Sequence, residues 1–165
     1  MPIVSNTTPI ISLAKINKLD LLEKIFGEII VSKGVYTELT SKAEFKEVNY
    51  IKSSSFIKVV DLKNEFAVRI IQKAFSLDRG ESESIILAEE YNADLLLMDE
   101  KKGRNAAISM DIKIAGTLGI LLEAKKMGLV TEIKPFMDKL IENNIRISNK
   151  LYREILETHI SHPSR

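Results

Sequence analysis

Apolar positions fall along this chain in short runs that alternate between a strand period and a helix period. Ile3 and Val4 open it as a short buried strand. The polar turn Ser5-Asn6-Thr7-Thr8-Pro9 then leads into IISLAKI, a helix with proline in its first turn. Residues 19–26 keep helical spacing, Gly27 ends them, and EIIV at 28–31 predicts a second, β-branched strand. Ser32-Lys33-Gly34 starts another helix in which Val35 and Leu39 share a face and Glu38 reaches the edge of that face. Residues 41–55 are polar and carry no clear period, and FIKVV at 56–60 predicts a third strand. Asn64 caps a helix over 65–77, with Phe66, Ile70, Ile71 and Ala74 at helical spacing, and Gly80 separates it from a helix over 81–91. The run DLLLM at 94–98 has the uninterrupted apolar character of a strand covered on both faces. Helices bracket it as parallel crossovers require, which makes it the best candidate for a central strand. A basic turn, a helix through Ala106 and Ile108, a brief strand at 112–114 and a helix from Gly116-Thr117 to Gly128 follow. Residues 134–144 and 149–159 read as two closing helices with IRIS between them. This alternation predicts an α/β fold of three layers around a mostly parallel sheet.

Length changes the picture little: 165 residues bury one good core, so 1–165 reads as a single domain with the helices from about 134 appended to it. An apolar fraction of 45% with 28% charged residues is ordinary for a soluble protein, and no segment is the long uncharged run of a membrane helix. The start MPIVSNTTPI lacks a basic region ahead of an apolar stretch and cysteine is absent, so neither a secretory leader nor a disulfide framework is expected, and a cytoplasmic location follows. A net charge of +1 exerts no global pull on nucleic acid, so such a partner would have to be held by a local basic patch or through metal ions.

The candidate chemistry is concentrated in 80–104, GESESIILAEEYNADLLLMDEKKGR. Parallel sheets bind ligands beyond the carboxyl ends of their strands. Asp99 and Glu100 fall at such an end, Asn6 falls at another, Glu81 and Glu83 stand at a helix start, and Glu38 is the remaining acid a helix face brings in. Carboxylates gathered in this way repel one another unless a hard cation such as Mg²⁺ or Mn²⁺ compensates them. Such an ion holds a phosphodiester oxygen and activates water for an in-line displacement. Lys101, Lys102 and Arg104 follow directly and suit phosphate contacts. Each residue alone also has an ordinary reading: Glu81 and Glu83 as acids favoured by a helix dipole, Asp99 as a cap of the next helix, Glu38 and the basic run as solvated surface. Only their joint placement points to a site. His159 and His162 show no ligand spacing, and no glycine-rich phosphate loop, nucleophile elbow or Cys/His metal pattern occurs. A phosphoacceptor regulatory domain is disfavoured, because Ser5-Asn6 does not supply the paired acids that design needs after its first strand.

The order SNTTPIISLAKI, VYTEL, GESESIILAEE, LLLMDEKKGR and GTLGILLEAKKMGL resembles the PIN-domain superfamily over nearly the whole chain, and more closely its short VapC-like archaeal and bacterial branch. The resemblance implies a Rossmann-like α/β/α fold and a Mg²⁺- or Mn²⁺-dependent ribonuclease. It also implies the toxin half of a toxin–antitoxin pair, dimeric and neutralised by a small antitoxin protein. Carried over residue by residue, the family's second, third and fourth acids match Glu38, Glu81 and Asp99, with Glu83 and Glu100 as neighbours and Thr8 as the small hydroxyl residue after the first acid. That first acid is where the chain departs from the pattern: Asn6 stands where aspartate is expected. An amide oxygen still coordinates Mg²⁺ but brings no charge. Two readings follow, a metal-dependent ribonuclease with Asn6 as a weakened ligand, or a catalytically impaired module that binds RNA or a protein partner.

Overall fold

The computed structural model describes residues 1–160, with side chains to 157, so His162 and the side chain of His159 lie outside the described residues. Five strands form one parallel sheet: β1 (Ile3–Ser5), β2 (Ile29–Ser32), β3 (Ile57–Val60), β4 (Leu95–Leu97) and β5 (Ile114–Ala115), in the spatial order β3-β2-β1-β4-β5. The register is set by Val4 opposite Ile30 on one side of β1 and opposite Leu96 on the other. Thus 94–98 supplies an interior strand, as its apolar run predicts, while the exact middle is β1.

Because side chains alternate along a strand, each strand feeds both faces of the sheet. Ile3, Ile29, Val31, Ile57 and Leu97 enter one core with α1 (Thr7–Lys15), α2 (Asp20–Phe26), α3 (Lys33–Lys42), α4 (Phe45–Lys52) and α8 (Thr117–Lys126). Val4, Ile30 and Leu96 enter the other with α5 (Glu65–Ala74), α6 (Arg79–Glu90) and α7 (Lys101–Ser109). The result is the three-layer α/β/α arrangement. The polar stretch 41–55 holds α4, whose Ile51 is buried. At the far end, α9 (Lys134–Glu142) and α10 (Asn149–Ile160) bring Met137 and Ile155 together with Ile133 against Leu118 and Leu122 of α8. No strand forms at IRIS.

Two local outcomes differ from the hydrophobic pattern. Helix α6 begins at Arg79, so Gly80 lies inside its first turn, and the break from α5 falls at Ser76, whose φ of 54° ends the preceding run. Helix α5 buries Val68 and Ile71, on the side where it packs chiefly against α6, and leaves Phe66 and Ile70 exposed.

From β1 the chain winds one way to β2 and β3, and β4 and β5 lie on the other side. The topological switch point is therefore between β1 and β4, where a parallel sheet opens a crevice beyond its carboxyl ends. Asn6 directly follows β1, and Asp99 and Glu100 follow β4.

Candidate functional site

Asn6 continues the ladder through its N–H to the Leu97 carbonyl (2.9 Å) and occupies the N-cap position of α1, yet its side chain makes no capping bond. That frees the amide for the crevice, where it is buried. Its Nδ2 donates to Glu100 Oε2 and also approaches Met98 Sδ, both at 3.4 Å, while its Oδ1 lies 3.3 Å from the Ser84 hydroxyl. A carboxylate partner on one end fixes the orientation of the amide, turning the oxygen toward α6. Ser84 also reaches the Gly80 carbonyl at 2.8 Å, its shorter bond.

Side-chain oxygens of Glu38, Asn6 and Asp78 lie around Gly80. A Cβ built there would lie 3.1 Å from Glu38 Oε2 and 3.6 Å from Asn6 Oδ1. Glu38 arrives from the middle of α3, partly exposed, with its other oxygen 3.4 Å from Lys42. The side chain predicted to reach over the edge of its helix does so.

Glu81 serves its helix first. Its Oε2 accepts from the Asp78 N–H (3.1 Å) while Asp78 Oδ1 accepts from the Glu81 N–H (2.7 Å), a reciprocal capping box. Burial pushes the Glu81 carboxyl above its ordinary pKa. The backbone bond to Asp78 works against that shift, the charges of Asp78 and Glu100 add to it, and Lys102 counters it.

Asp99 does cap a helix, though not the one that follows it in sequence. Its two oxygens accept from the backbone N–H and the hydroxyl of Thr117, each at 2.7 Å, so it holds the start of α8, and Glu100 takes the N-cap position of α7. Desolvation raises the Asp99 carboxyl, the Thr117 bonds oppose this, and Arg104 opposes the repulsion from Glu100. Gly116 is needed for this clasp, since a Cβ there would meet Asp99 Oδ1 at 2.7 Å.

Glu100 sits closer to the centre than its place beside Asp99 suggests: its carboxylate accepts from the Thr8 hydroxyl and from Asn6. Glu83 goes elsewhere. It is buried, accepts from Ser32 Oγ (2.7 Å) and pairs with Arg79 (2.5 Å), which also pairs with Glu65. Lys101, Lys102 and Arg104 form the exposed first turn of α7, with Lys102 and Arg104 close enough to act on Glu81 and Asp99.

Asn6, Thr8, Glu38, Glu81, Asp99 and Glu100 thus gather around the switch point, while Glu83 braces α6 against the start of α3. Sequence reasoning missed Asp78, Ser84 and Thr117. Asp78 carries a signal in the D-R-G-E spacing of a capping box and Thr117 only as the first residue of a glycine-led helix, whereas Ser84 carries none. The donors are hard oxygens, with Asn6 and Glu38 both beside Gly80, and in kind they fit Mg²⁺ or Mn²⁺. Among the described residues, no three His, Cys, Asp or Glu are spaced to hold a metal ion, and Glu81 and Asp99 are turned onto Asp78 and Thr117.

A family model described as a PIN domain matches residues 2–161. Among curated proteins, none matches the chain significantly. No helix among the described residues is long and apolar enough to cross a membrane.

Proposed function

The chain belongs to the PIN-domain family, a nuclease-type fold, and on that premise we propose that it is a divalent-metal-dependent endoribonuclease. The observation that carries this reading is the gathering of Asn6, Glu38, Glu81 and Asp99 at the carboxyl ends of β1 and β4 and the start of α6, with Asn6 and Glu38 both beside Gly80. Glu38, Glu81 and Asp99 are the catalytic acids and, with Asn6, hold Mg²⁺ or Mn²⁺; Thr8 and Glu100 orient Asn6, and Glu83 supports α6. A bound divalent ion supplies polarisation of the phosphodiester and a lowered pKa for attacking water. Burial prepares the acids for this work: a carboxyl above its ordinary pKa gains most from a nearby cation. Lys101, Lys102 and Arg104 hold the RNA backbone beside it.

The wider role is the toxin half of a cytoplasmic toxin–antitoxin pair, acting as a homodimer restrained by a small antitoxin. The chain works as one PIN-like domain over 1–165. Leu118 and Ile147, which pack with both the sheet core and the α9–α10 cluster, support appending the C-terminal helices to it.

A second reading has its own observation. Asn6 is neutral, and Glu81 and Asp99 already have internal partners, which favours a catalytically impaired module that binds RNA or protein. Purified protein with Mn²⁺ is expected to cleave single-stranded RNA, and Asp99→Asn is expected to abolish cleavage. No cleavage by the native protein, or cleavage that survives Asp99→Asn, sinks the ribonuclease reading. Cleavage that appears only in Asn6→Asp establishes the impaired one.

A further inference from the structure

A cavity of about 520 Å³ is lined by Thr8, Asp99 and Arg104 of the acidic corner and by Arg146 of the IRIS segment. Its size lies within the range of sites that enclose small organic ligands, roughly 300–1,000 Å³. The rest of the lining is largely apolar and includes Leu118, Ile147, Leu151 and Ile155. The IRIS segment alternates: Ile145 and Ile147 are half-buried and Arg146 is exposed. Among the described residues neither Arg104 nor Arg146 makes an ion pair. The cavity therefore has two guanidinium groups outside any ion pair, Arg104 close enough to act on Asp99, and an apolar lining beside the proposed reaction centre.

We propose that this cavity is a nucleotide subsite, in which Arg104 and Arg146 bind the phosphates on either side of one nucleotide and the apolar wall takes its base. The proposal rests on the ribonuclease reading and names the part of the substrate that the acidic centre leaves unplaced. RNA fits better than a protein segment, because two planar, unpaired guanidinium groups match phosphate oxygens. The apolar lining suits the flat face of a base and makes no hydrogen-bond demand, so this subsite holds a nucleotide with little selection among bases. Arg146 thus becomes an RNA-binding residue supplied by the C-terminal helices, and these helices become part of the substrate channel.

The test is fluorescence anisotropy with a labelled single-stranded RNA of about 10 nucleotides in EDTA, measured between about 50 and 200 mM salt. Arg146→Ala is expected to weaken binding by about fivefold to tenfold and to lower the slope of log affinity against log salt by about 0.7, one phosphate contact. Leu151→Trp, which narrows the wall from a partly exposed position, is expected to weaken binding with no change of slope. Both variants are expected to bind Mn²⁺ calorimetrically as the native protein does. Native affinity and slope in both variants overturn the subsite and leave the cavity to a protein segment. Loss of Mn²⁺ binding in Arg146→Ala also overturns it, since the arginine would then act through the fold. A native protein that binds Mn²⁺ but no RNA overturns the subsite alone, and one that binds neither overturns the ribonuclease reading with it.

Discussion

At position 6 the chain carries an amide where its family resemblance calls for a carboxylate, and the surroundings explain how the amide is used. Asn6 donates to Glu100 and turns its oxygen toward Gly80, so the negative charge nearest this position belongs to Glu100. In Asn6→Asp two carboxylates would face each other where an N–H···O bond stood. The variant is expected to melt below the native protein in EDTA, to regain its melting temperature with Mn²⁺, and to bind Mn²⁺ about tenfold more tightly by calorimetry. Equal Mn²⁺ affinity in the two proteins would mean that Asn6 is an adequate ligand or stands outside the site. Glu81 gives a second prediction of different sign. Burial holds its carboxyl above the ordinary 4.5, so between that value and the raised one the native state holds a proton that the unfolded chain releases. Stability from this group is complete below that value and is lost as pH rises through the raised one. Glu81→Gln removes the loss while its amide oxygen still accepts from Asp78. In EDTA it is expected to melt above the native protein at about pH 7 and level with it at about pH 4. A gain that persists at the lower pH would assign the effect to packing.

Among the elements, the ends are where reading the sequence and reading the structure part. Strand existence was legible, since β-branched and leucine runs of strand length stood between helical periods, and so was the placement of Glu38 over a helix edge. The start of α6 was not: Gly80 reads as a separator, but Asp78 and Glu81 close a capping box around it, and a Cβ there would crowd Glu38 Oε2 at 3.1 Å. The exposed Phe66 and Ile70 of α5 were equally hidden, because periodicity reports an apolar stripe without saying which part a neighbour covers. The partner of Asp99 was illegible for another reason. Helix caps are expected from adjacent residues, and Thr117 comes to Asp99 only because β5 pairs with β4. This clasp is testable through Gly116, where a Cβ would lie 2.7 Å from Asp99 Oδ1 and 3.2 Å from Arg104 Nη1. Gly116→Ala is expected to lower stability by about 1–3 kcal/mol in urea unfolding and to weaken Mn²⁺ binding together with it. Native stability would show that Asp99 yields without cost.

For the whole molecule, strand order was the part of the fold that periodicity could not supply. Helical crossovers separate all five strands in sequence, so the apolar pattern alone leaves open which ones neighbour β1, and the switch point depends on that. Charge distribution has the same character. A net charge of +1 predicts no general attraction to RNA, yet Lys101, Lys102 and Arg104 are set together in one exposed helical turn beside the crevice. Affinity for RNA should then come from this turn and from Arg146 rather than from the protein's overall field. Replacing Lys101 and Lys102 together with alanine is expected to lower the salt slope of RNA binding by about 1.4, at roughly 0.7 per phosphate contact. The melting temperature should hold, since both side chains are exposed and make no ion pair among the described residues. Alanine at Lys52 and Lys58, exposed on α4 and β3 at the far side of the sheet, should leave the slope unchanged. An equal loss from both pairs would mean that RNA follows diffuse charge, and the crevice between β1 and β4 would lose its claim to the substrate.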